Sequence, residues 1–245
     1  FHMTNDSGLF RTQAGPGLLP LYEGKMIHQF DARFASPRYW VNETEGRLSI
    51  LGKAIDHGQK LDYQSYRLAF RDVAANTNER TMIATVLPPN VFAGNTLVTS
   101  VGVLKSQELL TIASLMDSFA FDFIIRKKVP AHCNMFYVYQ MPAPRLVADF
   151  SAFTPIVQAT ARLICTTSEF DSLADAVGLT SRRDGVTDPT ARARLRAELD
   201  GRIAHLYGLS EAEFAHILTA FPLVSESVKL AALNAYRDIE RGVLA

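Results

Sequence analysis

The stretch that decides the fold is Tyr66–Pro89, YRLAFRDVAANTNERTMIATVLPP. Leu68 and Phe70 alternate with Arg67, Ala69 and Arg71, and a period of two puts apolar groups on one face of a strand and guanidinium groups on the other. Asn76, Thr77 and Asn78 supply turn chemistry, because short amides bond local backbone and tolerate left-handed dihedrals. Thr81–Leu87 is a second β-rich run, and Pro88-Pro89 ends it, since proline cannot donate to a ladder. The stretch therefore reads as two strands joined by a polar turn, with an arginine face.

Beyond it, Thr96–Leu104 is another β-branched run. Ser106 is a good N-cap, with Glu108 in the first turn, and Leu109, Ile112, Ala113, Met116, Phe119, Ala120 and Phe123 recur at helical spacing. One continuous helix is predicted to about Ile125, followed by Arg126, Lys127 and Lys128 and stopped by Pro130. Met135–Met141 reads as a short aromatic strand closed by Pro-Ala-Pro at 142–144. The last hundred residues read as helical. Asp188-Pro189 is a cap with proline at the first helical position, Ser210 and Glu213 make a capping box, and a final helix from about Glu226 to Arg241 ends at Gly242.

On the N-terminal side, residues up to Pro20 read as an entry segment, 21–40 have no clean period, and 41–62 read as loop with short ordered pieces. The fold class is α+β. A β-rich part with one long helix, residues 1–145, precedes a helical part, 146–245, and Phe34, Phe70 and Tyr137 are core candidates.

At 245 residues and 48% apolar, the chain can bury a sizeable core. No apolar run approaches the roughly 20 residues of a spanning helix, and FHMTNDSGLF lacks the basic and apolar regions of a signal peptide. A cytoplasmic chain without membrane partners is expected, and its abrupt start at Phe1 reads as a piece cut from something longer. Cys133 and Cys165 have no metal-like spacing and read as reduced structural thiols. Residues 1–145 hold 15 Lys plus Arg against 12 Asp plus Glu, and residues 146–245 hold 10 against 13. A chain that holds nucleic acid alone is usually more basic, so either its cations are focused on one face or another segment helps.

Catalytic signatures are missing: there is no glycine-rich nucleotide loop, no P-loop and no serine elbow. His205 and His216 sit on predicted helices, where packing or surface roles fit better than metal binding. Glu23-Gly24-Lys25, with Asp6 upstream, resembles the end of a metal-dependent nuclease signature, a pattern short enough to recur by chance. Arg126–Lys128 suit either a solvated helix end or phosphate contact. Arginine reads guanine edges and asparagine reads adenine edges, which draws attention to Asn76, Asn78, Arg80, Asn95 and Asn134.

Segment order adds a resemblance. LPLYEGKMIHQFDARFA (19–35), RLAFRDVAANTNERTMIATVLPPNVFAGNT (67–96), LLTIASLMDSFAFDFIIRKKV (109–129), NMFYVYQMPAP (134–144) and RLRAELDGRIAHLYGLSEAEFAHIL (194–218) occur in that order. Together they resemble the C-terminal part of large adenine-specific DNA methyltransferases of restriction-modification and phage-defence systems. The resemblance implies a target-recognition domain that reads double-stranded DNA for an N6-adenine methyltransferase. Its recurring frame falls on Leu109–Lys128 and on Asn134, Phe136, Pro142 and Pro144.

The family's S-adenosylmethionine motif and its (N/D)-P-P-(Y/F) loop for the flipped adenine are not in this chain, and Pro88-Pro89 is not that loop. The resemblance thus implies a chain that is not itself catalytic and holds no cofactor or metal, beside a missing N-terminal methyltransferase domain that binds S-adenosylmethionine. The residues expected to contact DNA are Lys25, Arg33, Arg38, Arg67, Arg71, Asn78, Arg80, Asn95, Arg126, Lys127, Lys128, His132 and Asn134. Among them Arg67, Arg71 and Arg80 are expected to position phosphates or brace loops, and base reading is expected in the loops 33–40, 90–96 and 128–134. The competing readings are a protein-interaction module and a nuclease built around Glu23 and Lys25.

Overall fold

The computed structural model of the chain describes residues 1–144 and 153–244. Its strands are β1 (Phe10–Arg11), β2 (Leu18–Tyr22), β3 (Tyr39–Asn42), β4 (Arg67–Arg71), β5 (Ala84–Leu87), β6 (Phe92–Ala93) and β7 (Leu97–Thr99). They form two small sheets, one ordered β1-β3-β2-β6 and one ordered β5-β4-β7. In the second, β4 is antiparallel to both neighbours, with Phe70 opposite Ala84 on one side and Val98 on the other.

The helices are α1 (Glu43–Leu51), α2 (Ser106–Asp117), α3 (Phe119–Ile125), α4 (Met135–Val138), α5 (Thr154–Ile164), α6 (Asp171–Asp175), α7 (Pro189–Leu206), α8 (Glu211–Thr219) and α9 (Glu226–Glu240). The chain is α+β with a helical C-terminal half. No helix among the described residues is long and apolar enough to cross a membrane.

Strand β4 is buried on both faces, which corrects the expectation of a solvated arginine face. Leu68 and Phe70 join Leu109, Leu110 and Ala113 of α2 in the main core. On the other face the carbonyls of Val91 and Ile27 accept hydrogen bonds from Arg67 and Arg71.

The long helix predicted over 106–125 is broken at Ser118, which leaves helical geometry with ψ 155°. Three carboxylates act around the break. Asp117 accepts Ala84 N at 2.8 Å and Phe30 N at 3.1 Å. Asp200 of α7 accepts Phe119 N at 2.9 Å, and Asp122 takes Arg80 Nε at 2.9 Å and Thr81 N at 3.0 Å. Burial pushes the Asp117 carboxyl up to about 8 and that of Asp200 up to about 6, while their backbone donors and nearby arginines pull the other way. Ser118 then caps α3 by accepting Phe121 N at 3.2 Å.

Four further expectations change. α2 is capped at Lys105 rather than Ser106, because the Glu108 carboxylate accepts Lys105 N at 2.8 Å. Met135–Met141 is not a strand; Asn134 Oδ1 accepts Phe136 N at 3.0 Å and starts the short helix α4. Residues 43–51, read as loop, are α1, whose first turn is capped by Asn42 accepting Thr44 N and Glu45 N. Phe34 is 57% exposed and Tyr137 half-buried, whereas Phe70 is in the core.

The C-terminal helix starts follow their local signals: Asp188 accepts Ala191 N at 2.8 Å, and Ser210 and Glu213 cap each other. The boundary expected at 145–146 lies outside the described residues, and one core is shared across it. That core runs from Tyr22 to Ile203, and Gln29 Nε2 donates to Asp117 O while its Oε1 accepts from Arg196 of α7. Both cysteines are free and buried, and burial pushes each thiol up to about 12.

Helices α7 and α9 cross closely at Gly201, where a Cβ would lie 2.7 Å from Tyr236 N and 3.0 Å from the Ala235 carbonyl carbon. Neither is a flexible side-chain end, so α9 itself has to move. Gly201→Ala is expected to destabilise the chain by about 1–3 kcal/mol in denaturant unfolding, whereas Gly8→Ala, in open space and without a left-handed backbone, is expected to show no such steric cost. Unchanged stability in Gly201→Ala would contradict this helix contact.

Candidate nucleic-acid interface

The C-terminal end of β4 is where separate loops meet. Arg71 Nε donates to Ile27 O at 3.0 Å, which ties in the 24–36 loop. Asp72 N donates to Thr96 O at 3.0 Å, Asp72 O accepts Cys133 N at 2.6 Å, and Ala74 N reaches Ala131 O at 3.0 Å. The Asp72 carboxylate lies 2.7 Å from His132 Nδ1. Gly24 completes the junction: its N–H bonds Thr96 Oγ1 at 3.0 Å, and a Cβ there would meet Thr96 O at 2.5 Å, so only glycine allows the approach. Asp72 thus clamps 94–96 against 131–134, while Arg71 and Gly24 hold the first loop beside them.

The thirteen expected contact residues separate into two groups. Arg67, Arg80 and Arg126 are 4%, 6% and 7% exposed, and Arg71 is half-buried. Their donors are used inside the protein: Arg80 on Asp122, Arg71 on Ile27 O, Arg67 on Val91 O, and Arg126 on the carbonyls of Ala220, Asn76 and Asn78. A duplex phosphate cannot reach Arg80 or Arg126 without unpacking the core, and Arg67 borders only a small cleft that a duplex backbone does not enter, so these three brace the fold. Arg126 also fixes the 76–78 turn beside the basic end of α3.

Lys25, Arg33, Arg38, Asn78, Asn95, Lys127, Lys128, His132 and Asn134 are exposed. Lys25 and Arg38 share Glu23, at 3.6 and 2.9 Å, and Arg33 pairs with Glu169 at 3.0 Å. Glu23 is buried, with its side chain 8% exposed, so Lys25 and Arg38 are needed to compensate it, whereas the more exposed Arg33–Glu169 pair holds by about 0–1 kcal/mol and can exchange for phosphate. Lys127 rests over the Phe123 ring at 3.6 Å, and neither Lys127 nor Lys128 has an acidic partner among the described residues. The Asn95 and Asn134 side chains each accept one backbone N–H, from Met3 and Phe136, which orients their amides and leaves their NH2 groups outward-facing donors.

Features not read from the sequence complete the surface. Phe34 lies exposed over His28, with ring centroids 4.8 Å apart, and Phe136 and Tyr139 project from α4. Arg33, Trp40, Pro88, Pro89 and Asn90 border a cleft of about 330 Å³, so two of the three expected reading loops meet there. Asn90 adopts φ +61°, a conformation asparagine tolerates. The Glu23–Lys25 pair does not gather a metal-type cluster: Glu23 is occupied by Arg38 and Lys25, and no group of three or more His, Cys, Asp or Glu side chains converges among the described residues.

No protein-family model matches the chain, and no curated protein matches it.

Burial first, then the Arg196 and Arg71 charges, lowers the His28 imidazole to about 4. The unfolded chain binds this proton near 6.5, so it takes up more protons than the folded chain between those values, and stability falls as pH drops from about 6.5 toward 4. In an NMR titration the His28 ring is expected to remain neutral until near pH 4. A midpoint at or above 6.5 would contradict the packing of the 24–36 loop.

Proposed function

We propose that this chain reads the target sequence on double-stranded DNA for an adenine-N6 methyltransferase of a restriction-modification or phage-defence system. The observation that carries the reading is the junction at Arg71–Asp72, where loops distant in sequence are hydrogen-bonded together with Asn95, His132 and Asn134 exposed next to the bonded residues.

In this reading Lys127 and Lys128 hold phosphates, Arg33 does so by exchanging Glu169, and the exposed Lys25 and Arg38 add their charge while still holding Glu23. These contacts set register without reading sequence. Asn78, Asn95, His132 and Asn134 present amide and imidazole groups to base edges in the major groove. The half-buried Arg71 braces the 24–36 loop rather than reading a base.

Methyl transfer belongs to the methyltransferase domain of the same polypeptide, which supplies S-adenosylmethionine and accepts the flipped adenine.

Selection of bound duplexes from a random library at low salt tests the reading. The chain is expected to enrich one motif containing an adenine. Asn78→Ala or Asn95→Ala is expected to relax single positions of it, at about 1–3 kcal/mol each. The Lys127→Ala/Lys128→Ala pair is expected to weaken all sequences alike and to flatten the salt slope by about two. Absence of any shared motif, or binding that ignores salt, would contradict the proposal.

A further inference from the structure

Arg67 is a buried guanidinium with no ion-pair partner among the described residues. Arg80, in the segment before β5, is neutralised by Asp122 at 2.9 Å, and Arg126 donates to three carbonyls. Arg67 makes one hydrogen bond, to Val91 O, and its Nε has no partner although it is shut off from solvent. The acid that acts on it is Asp62, through space, and Asp62 is itself engaged with Gly102 N at 3.2 Å. Burial lowers the Arg67 guanidinium to about 10, which still leaves it charged at neutral pH. Leaving a buried cation unpaired is costly, and proteins ordinarily neutralise it with a carboxylate or a bound anion.

The side chain lines a cleft of about 290 Å³. Tyr63 and Phe92, with ring centroids 4.7 Å apart, line it together with Phe1, Lys60 and Thr99, and both rings are almost fully buried. Ile50 on α1, which is exposed, lines it too. We propose that this cleft binds a small organic anion, an oxyanion head on a flat apolar body, with Arg67 as the counter-ion and the Tyr63–Phe92 pair in the lining beside the body. The volume sits at the small end of ligand pockets, which suits one ring and one head group. Asp62, which also borders the cleft, favours a singly charged head over a doubly charged one. The proposal does not rest on the DNA-reading function, since Arg67 and this cleft take no part in the surface at Asp72.

Thermal-shift and NMR titrations with benzoate, phenyl phosphate and the neutral isostere benzamide test it. Benzoate or phenyl phosphate is expected to raise the melting temperature and to shift Tyr63 and Phe92 resonances, and benzamide is not. The stronger of the two anions identifies the head group. Arg67→Met is expected to lose at least about tenfold in anion affinity, about 1.4 kcal/mol, while melting no lower than the parent without ligand, because an unpaired buried charge has been removed. Ile50→Trp, at an exposed position in the lining, is expected to fold normally and also lose the anion response, so the test survives if Arg67→Met does not fold. No response to either anion up to about 10 mM, where even a Kd of about 1 mM would be saturated, would overturn the proposal, as would an equal response in Ile50→Trp.

Discussion

The ion pair between Arg80 and Asp122 is the constraint on which the rest of the fold depends. It lies in the core, with Asp122 fully buried and Arg80 stacked 4.2 Å over the Phe119 ring. A buried charge of either sign is tolerable only when its partner and its remaining hydrogen bonds are in place. Asp122 therefore has to face the segment entering β5, and that requirement sets where α3 sits. Asp117 and Asp200 complete the arrangement by holding the amides of Phe30, Ala84 and Phe119. One polar centre thereby links the 24–36 loop, the central sheet, the broken helix and α7.

In a chain of zero formal net charge the core takes in arginines and carboxylates in similar number: Arg67, Arg80 and Arg126 are buried, and so are Glu23, Asp117, Asp122 and Asp200. Many arginines are spent inside, on carboxylates and carbonyls. Exposed cations remain in the loops around β4 and at the end of α3, and also elsewhere, as at Arg11, Lys53, Arg182 and Arg194. Rigid internal arginines then serve the surface indirectly, since Arg126 fixes the 76–78 turn and Arg71 fixes the loop carrying Arg33. Such support is what the proposed recognition surface would need, because loops by themselves hold their geometry loosely.

Features set by neighbouring residues were legible in the sequence: the Asp188-Pro189 and Ser210/Glu213 helix starts, and the strand at Arg67–Arg71. What depended on distant partners was not. An alternating Arg-x-x-x-Arg strand has the same pattern whether the guanidinium groups meet water or meet the carbonyls of Ile27 and Val91. The break at Ser118 is hidden because apolar spacing continues through it, although the Asp117-Ser118 pair is a capping signal that the hydrophobic stripe overshadowed. Met135–Val138 shows the limit of composition, since an aromatic run suits a strand until the Asn134 cap turns it into a helix. At the site, Lys127, Lys128, Asn95 and His132 were legible by residue type. The clamp at Asp72 was not, because it joins segments about twenty and sixty positions away.

A double-mutant cycle on Arg80 and Asp122, followed by denaturant unfolding, tests the central claim most directly. Arg80→Met and Asp122→Leu, made singly, each strand a buried charge and should each cost about 3–5 kcal/mol. The double variant should recover a large part of that loss and be more stable than either single variant. Losses that simply add, or single variants as stable as the parent, would show that the pair does not govern the fold.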